Sequence, residues 1–241
     1  MTSTAFAPPA APVAARPTTR FRRVAGATTL IAAPWLFVAA NGTYAWMTRH
    51  GGDDYTGAHA LKLAASGSPA LFQTILVCAM LACLLIIPGL LAGTRMLRAS
   101  APRLSLFAGL SMIGGYVCYF GVIPQSYVTL AMVEQGGDLR DYAAVLDASQ
   151  SYASGVWVFL VFVFGNLVGT LLFGIAMLRS RSVVPAWAGL AVICWPVLHV
   201  TGMVIGSEWW EVTGGVLQAL GFAALAAAVL RMPDAEWDHA A

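Results

Sequence analysis

PALFQTILVCAMLACLLIIPGLLAGTRMLR, residues 69–98, carries no charged side chain until Arg95 and is closed by Arg95 and Arg98. An α-helix rises ~1.5 Å per residue, so the roughly 20 residues that cross ~30 Å of hydrocarbon fit within its apolar part. The stretch predicts a transmembrane helix that ends at an aqueous face, where the two arginines stand. Five other stretches share its character. Together they place spans at about 24–47, 69–93, 104–127, 155–178, 183–206 and 209–231, each near the length a crossing needs.

Composition agrees with lipid as the solvent. The chain is 59% hydrophobic and 10% charged, with a mean hydropathy of +0.75, far from the usage of water-soluble domains. A net charge of +2 over 241 residues is too small to recruit nucleic acid. The predicted fold class is all-α: a polytopic transmembrane bundle of six helices over 20–232. It lies between a disordered tail, 1–19, of Pro, Ala and Thr without periodicity, and a short tail, 233–241. Twelve of the thirteen basic residues are Arg, which together with the Ala-rich text is the compositional habit of a GC-rich bacterial genome.

The basic residues fall into every second gap. Arg16, Arg20, Arg22, Arg23, Arg95, Arg98, Arg103, Arg179, Arg181 and Arg231 lie on one side, and only Arg49, Lys62 and Arg140 on the other. Acids run the opposite way, so one face is net −5 and the other +7. Because Lys and Arg bias loops to the cytoplasmic side, the expected location is the bacterial plasma membrane with both termini cytoplasmic. Arg22-Arg23, the first apolar run and Val38-Ala39-Ala40 also have the parts of a cleavable leader. Apolar and aromatic text continues through Tyr44, Trp46 and Met47, which favours an uncleaved span.

Segments repeat. Leu90–Arg98 (LLAGTRMLR) and Leu171–Arg179 (LLFGIAMLR) close spans two and four, and Ala25-Gly26, Ala108-Gly109 and Ala188-Gly189 open the odd spans. Asp54-Tyr55 and Asp141-Tyr142 mark the first and third gaps. Three out-and-back hairpins are expected, two of them with a short interfacial helix in the connecting loop, around Thr56–Leu63 and Asp138–Leu146. Ser111-xxx-Gly115, Gly165-xxx-Gly169 and Gly202-xxx-Gly206 are small-residue pairs suited to helix contacts in lipid. Pro88, Pro124 and Pro196 should bend their helices. Tyr44, Trp46, Tyr127, Trp157, Trp209, Trp210 and, at the opposite face, Trp187 have the placement of an aromatic belt.

A few polar groups remain inside the hydrocarbon: Asn41, Asn166, His199, Gln218 and, at the start of span six, Glu211. An unpaired amide there costs on the order of 2–7 kcal/mol, so each should face the bundle and find a partner. These five form the candidate polar site. His199 is the sharpest candidate for a proton or ligand, and no acid within the spans is expected to pair with it. Cys78, Cys83, Cys118 and Cys194 lie in apolar text without metal-ligand spacing and serve as packing residues. A lone intramembrane His cannot ligate a haem on both faces, and no protease or nucleotide-binding motif is present, so no catalytic residue, metal or cofactor is assigned.

Asp53-Asp54-Tyr55-Thr56-Gly57, a short loop helix, Ser66-Gly67-Ser68-Pro69-Ala70-Leu71 and a span ending Met96-Leu97-Arg98 resemble a group of uncharacterised multi-pass membrane proteins of actinobacteria. The resemblance covers most of 20–231 and implies a six-span membrane protein, with no activity, cofactor or site residue to carry over. The leading functional reading is a small-molecule transporter or permease-like component with a polar site in the outer half, in which Asn166, Gln218 and His199 converge on one polar path closed outside by the two loop helices. The alternative is a non-catalytic scaffold or regulatory partner, and the third an intramembrane enzyme built around His199 and the outer acids Glu208 and Glu211. Expected partners are the lipid bilayer and a second copy or a membrane partner protein.

Overall fold

The computed structural model describes residues 17–48, 56–66 and 68–239, and among them all regular structure is helical. Six helices are long and apolar enough to cross a membrane. They are α1 (Pro17–Thr48), α3 (Pro69–Leu97), α4 (Pro102–Val122) with its continuation α5 (Pro124–Gln135), α7 (Ala153–Arg179), α8 (Ala186–Ile205) and α9 (Trp209–Arg231). Short helices α2 (Gly57–Ser66) and α6 (Leu139–Ser151) fill the two long connections, and α10 (Asp234–His239) ends the chain. Prolines stand at the starts of α3 and α4, where the missing amide hydrogen has no intrahelical acceptor to lose, and Pro124 starts α5 directly after α4, where its missing amide breaks the ladder between them.

The closest helix pairs are α1 with α3, α4 with α7 and α8 with α9, the three hairpins expected from the repeats. Contacts of α3 with α4, α7 with α8 and α9 with α1 join them into a closed ring of six. Two of these joints are built alike. Gly109 of α4 sits against Thr94 of α3, and Gly189 of α8 against Gly174 and Leu178 of α7, so each pairs an Ala-Gly opening with the repeated closing segment before it. The third departs from the pattern, because Gly26 packs on Ala92 within its own hairpin.

Small residues set the tightest crossing. A Cβ on Gly165 would stand 2.4 Å from the Ser111 carbonyl and 2.6 Å from Gly115 Cα, so α4 and α7 touch backbone to backbone. The third pair behaves differently from expectation. Gly202 packs at the α8–α9 corner, but Gly206 adopts φ 74° and ends α8, accepting a turn conformation that side chains disfavour. Pro124 interrupts span three, which extends to Gln135 instead of ending near 127, whereas helix continues through Pro88 and Pro196.

The two ends of the ring are closed by different means. At the end carrying α2, α5 and α6, here the capped end, Leu61, Ala143 and Leu146 form a small apolar core with Met132 and Val133. Asp138 caps α6 by accepting from the Arg140 amide at 2.8 Å. The Asp54-Tyr55 part of the loop repeat lies outside the described residues. At the opposite, clasped end, α10 (Asp234–His239) gives helical order within the stretch expected to be a tail. Arg23 Nε pairs with Asp234 Oδ1 at 2.9 Å, Thr19 donates to Asp238 at 2.7 Å, and Arg95 lies 4.8 Å over the buried Trp237 ring while donating to its carbonyl. These contacts fasten α10 beneath α1 and α3, so helical order also reaches back to Pro17, within the stretch expected to be a tail.

Leucine, valine and phenylalanine side chains cover the outside of the ring, among them Leu84, Leu110, Leu160, Phe164 and Leu190, as lipid contact requires. Trp46, Tyr127, Trp157, Trp209 and Trp210 are exposed toward the capped end and Trp187 toward the clasped one. Replacing Gly165 with Leu should lower the thermal stability of the detergent-purified protein by about 3 kcal/mol, because two backbones must part. Gly114→Ala, with nothing within 4 Å of the added carbon, should be neutral or stabilising by up to ~1 kcal/mol. Trp237→Ala should cost about 3 kcal/mol by emptying the clasp.

Candidate functional site

The turn between α8 and α9 places the first polar pair. Gly206 and Ser207 both donate their amides to the Gly202 carbonyl, at 2.8 and 3.0 Å, so α9 starts within three residues of the end of α8 and runs back along it. This register sets Glu211, in the first turn of α9, beside His199: Nδ1 lies 3.1 Å from Oε2. Span six therefore supplies the acid for His199 that the transporter reading lacks and the enzyme reading names. Glu211 stands two residues into its helix, but the antiparallel turn brings it level with a histidine twelve positions earlier.

The other carboxylate oxygen is held from a different helix. Asn41 Nδ2 of α1 donates to Glu211 Oε1 at 3.0 Å, so α1 and α8 grip one carboxylate from two sides. The helix dipole also favours negative charge at this N-terminal turn. His199 and Glu211 side chains are 24% and 19% exposed, so the pair is neither on the surface nor sealed. One turn deeper on α8, Trp195 stacks on the imidazole with ring centres 5.3 Å apart and planes 20° from parallel.

Asn166 and Gln218 do not join this node. Asn166 Nδ2 donates to the Phe162 carbonyl of its own helix at 3.1 Å, beside the Gly115–Gly165 crossing. Gln218 lies two turns below Glu211 on α9, about 10 Å along the axis. It is buried, its Nε2 has no hydrogen-bond partner among the described residues, and its side chain neighbours Tyr116 of α4.

Between the two polar levels lies an aromatic layer that sequence reasoning did not single out. Phe37 stacks with Tyr116 at 5.1 Å, and Tyr119 with Phe162 at 4.5 Å and 10°, linking α1, α4 and α7. A signal was available: Phe37-xxx-Asn41, Phe162-xxx-Asn166 and Trp195-xxx-His199 each put an aromatic and a polar residue on one helix face, one turn apart. Tyr116 and Tyr119, deep in apolar text, bring hydroxyls that need partners there.

Below this layer large apolar side chains fill the bundle. Phe173 and Phe222 meet edge to face at 5.8 Å and 78°, and with Leu90, Met112, Met177 and Leu225 they are almost wholly buried. Among the described residues no group of three His, Cys, Asp or Glu side chains is placed to hold a metal ion. An imidazole against a carboxylate can hold or release a proton and can present a negative or neutral face to a ligand. Comparison with family models, with curated proteins and with solved structures finds no match. The fold and the site together define a multi-pass membrane protein with a polar node near one end of its bundle.

Double-mutant cycles on thermal stability check the node. Glu211→Gln should couple to His199→Leu and to Asn41→Leu by about 0.6–1.7 kcal/mol, the range for hydrogen bonds within membrane proteins. Asn166→Leu should combine additively with all three.

Proposed function

We propose that this protein is a bacterial plasma-membrane permease-like transporter with both termini cytoplasmic, whose Asn41–Glu211–His199 node binds a small molecule entering from outside. The capped end then faces outward, as the excess of Arg at the clasped end favours. The observation that carries the reading is the Glu211 carboxylate, held by Asn41 at 3.0 Å and His199 at 3.1 Å above a bundle half filled by buried apolar side chains. Ionisable groups in hydrocarbon are costly, and a scaffold needs none of them. A partly exposed carboxylate beside the Trp195–His199 stack suits a substrate that presents a cationic or hydrogen-bond-donating group. His199 adds a site where a proton can enter or leave as that group binds. Asn166 and Gln218, held lower in the bundle, belong to its packing and not to the first contact with substrate.

Thermal-shift screening of the detergent-purified protein against amines, sugars, carboxylates and nucleosides tests this reading. At least one class should stabilise the wild type and fail to stabilise Glu211→Gln and His199→Leu, while Asn166→Leu keeps the response. Proteoliposomes loaded with that compound should exchange it at a rate lost in Glu211→Gln. If every class acts equally on wild type and Glu211→Gln, a scaffold role replaces transport. Labelling of Gln135→Cys, exposed at the end of α5, by an impermeant maleimide in intact cells is the expected outcome for the orientation, and protection would reverse it.

A further inference from the structure

A cavity of about 650 Å³ opens beside the crossing of α2 and α6, away from the polar node. Gly57 makes the crossing close, since a Cβ there would stand 2.6 Å from the Ala143 carbonyl, and its amide donates to Asp147 Oδ1 at 2.6 Å. The floor is apolar, formed by Ala58, Leu61, Ala65, Leu139, Ala143 and Ala144. Two cations, Lys62 and Arg140, stand on its wall, both exposed and neither in an ion pair among the described residues. The third charged group, Asp147, is engaged by the start of α2, and Asp138 by the start of α6. Asp141, next to Arg140, is exposed and makes no ion pair among the described residues.

We propose that this cavity is a binding site for an anionic phospholipid of the leaflet at the capped end, its phosphate between Lys62 and Arg140 and its glycerol and upper acyl carbons on the alanine floor. Charge complementarity favours this occupant, because Lys62 and Arg140 are two of only three basic residues on a face that is otherwise acidic, and they meet at one cavity. Depth favours it too. The cavity sits on short helices at the end of the bundle ringed by Trp46, Tyr127, Trp157, Trp209 and Trp210, where headgroups lie. A soluble anion would leave the apolar floor unused. Lipid bound here spans α2 and α6 and so fastens the cap, a role independent of the Glu211 node.

Photo-crosslinking in nanodiscs tests the assignment, using phosphatidylglycerol and phosphatidylcholine probes with a diazirine near the top of the acyl chain. With the phosphatidylglycerol probe, crosslinked peptides should concentrate in 57–66 and 139–151. They should fall roughly tenfold or more in Lys62→Gln/Arg140→Gln, since each basic residue near the interface contributes about 1 kcal/mol to anionic-lipid binding. Lys62→Arg/Arg140→Lys should restore them, and Ala144→Trp, which fills the floor with both cations kept, should remove them. The phosphatidylcholine probe should label these segments no more than the lipid-facing spans. Equal labelling by the two probes, or labelling unchanged in the double Gln variant, would overturn the proposal. So would loss of phosphatidylglycerol crosslinks to millimolar inorganic phosphate, which would make the site one for a free anion.

Discussion

Backbone contact at small residues is the constraint on which the bundle depends. Lipid tails are as apolar as leucine, so helices gain little by hiding apolar side chains from them, and association rests on close packing and interhelical hydrogen bonds. Gly115 and Gly165 let α4 and α7 touch, and Gly174 and Gly189 do the same for α7 and α8. With those crossings fixed, the ring closes around Phe173 and Phe222, and large side chains are left to face lipid. Of the two Leu-Leu-x-Gly segments, the second supplies Gly174 at the joint of α7 with α8, whereas Gly93 of the first faces Phe173 and Leu225 inside the ring.

The polar node follows from that packing and not from any helix alone. α8 and α9 must run antiparallel through the Gly206 turn for Glu211 to reach His199, and α1 must close the ring for Asn41 to reach Glu211. A carboxylate near hydrocarbon is tolerable here because both oxygens have partners and the first turn of α9 adds its dipole. The clasp works at the other end of the same helices: Arg23 from α1 donates to the Leu230 carbonyl at the end of α9 while pairing with Asp234. Thus α1 is bound to α9 by polar contacts near both termini, with apolar packing between.

Apolar length and charge spacing made most of the fold legible. Span six was placed at its observed bounds, and the two loop helices lay where Asp138 and the alternation of apolar and charged residues put them. The differences have local causes. Span three runs on past the break at Pro124 because Met132 and Val133 of α5 pack on Leu61 of α2 and on Ala143 and Leu146 of α6. The C-terminal segment looks like a polar tail until Trp237 finds Arg95, 142 residues earlier in the chain.

The site was legible only as a list. Sequence by itself determined the number of spans, the hairpin order and the rarity of polar groups among the apolar ones, since hydrocarbon thickness and the cost of burying charge act on each segment separately. Tertiary structure decided which polar groups meet. It joined Asn41, His199 and Glu211, returned Asn166 to its own backbone, and left Gln218 beside Tyr116. Rotation about a helix axis and the register of two antiparallel helices are set by side-chain packing between segments, and no single segment contains that information.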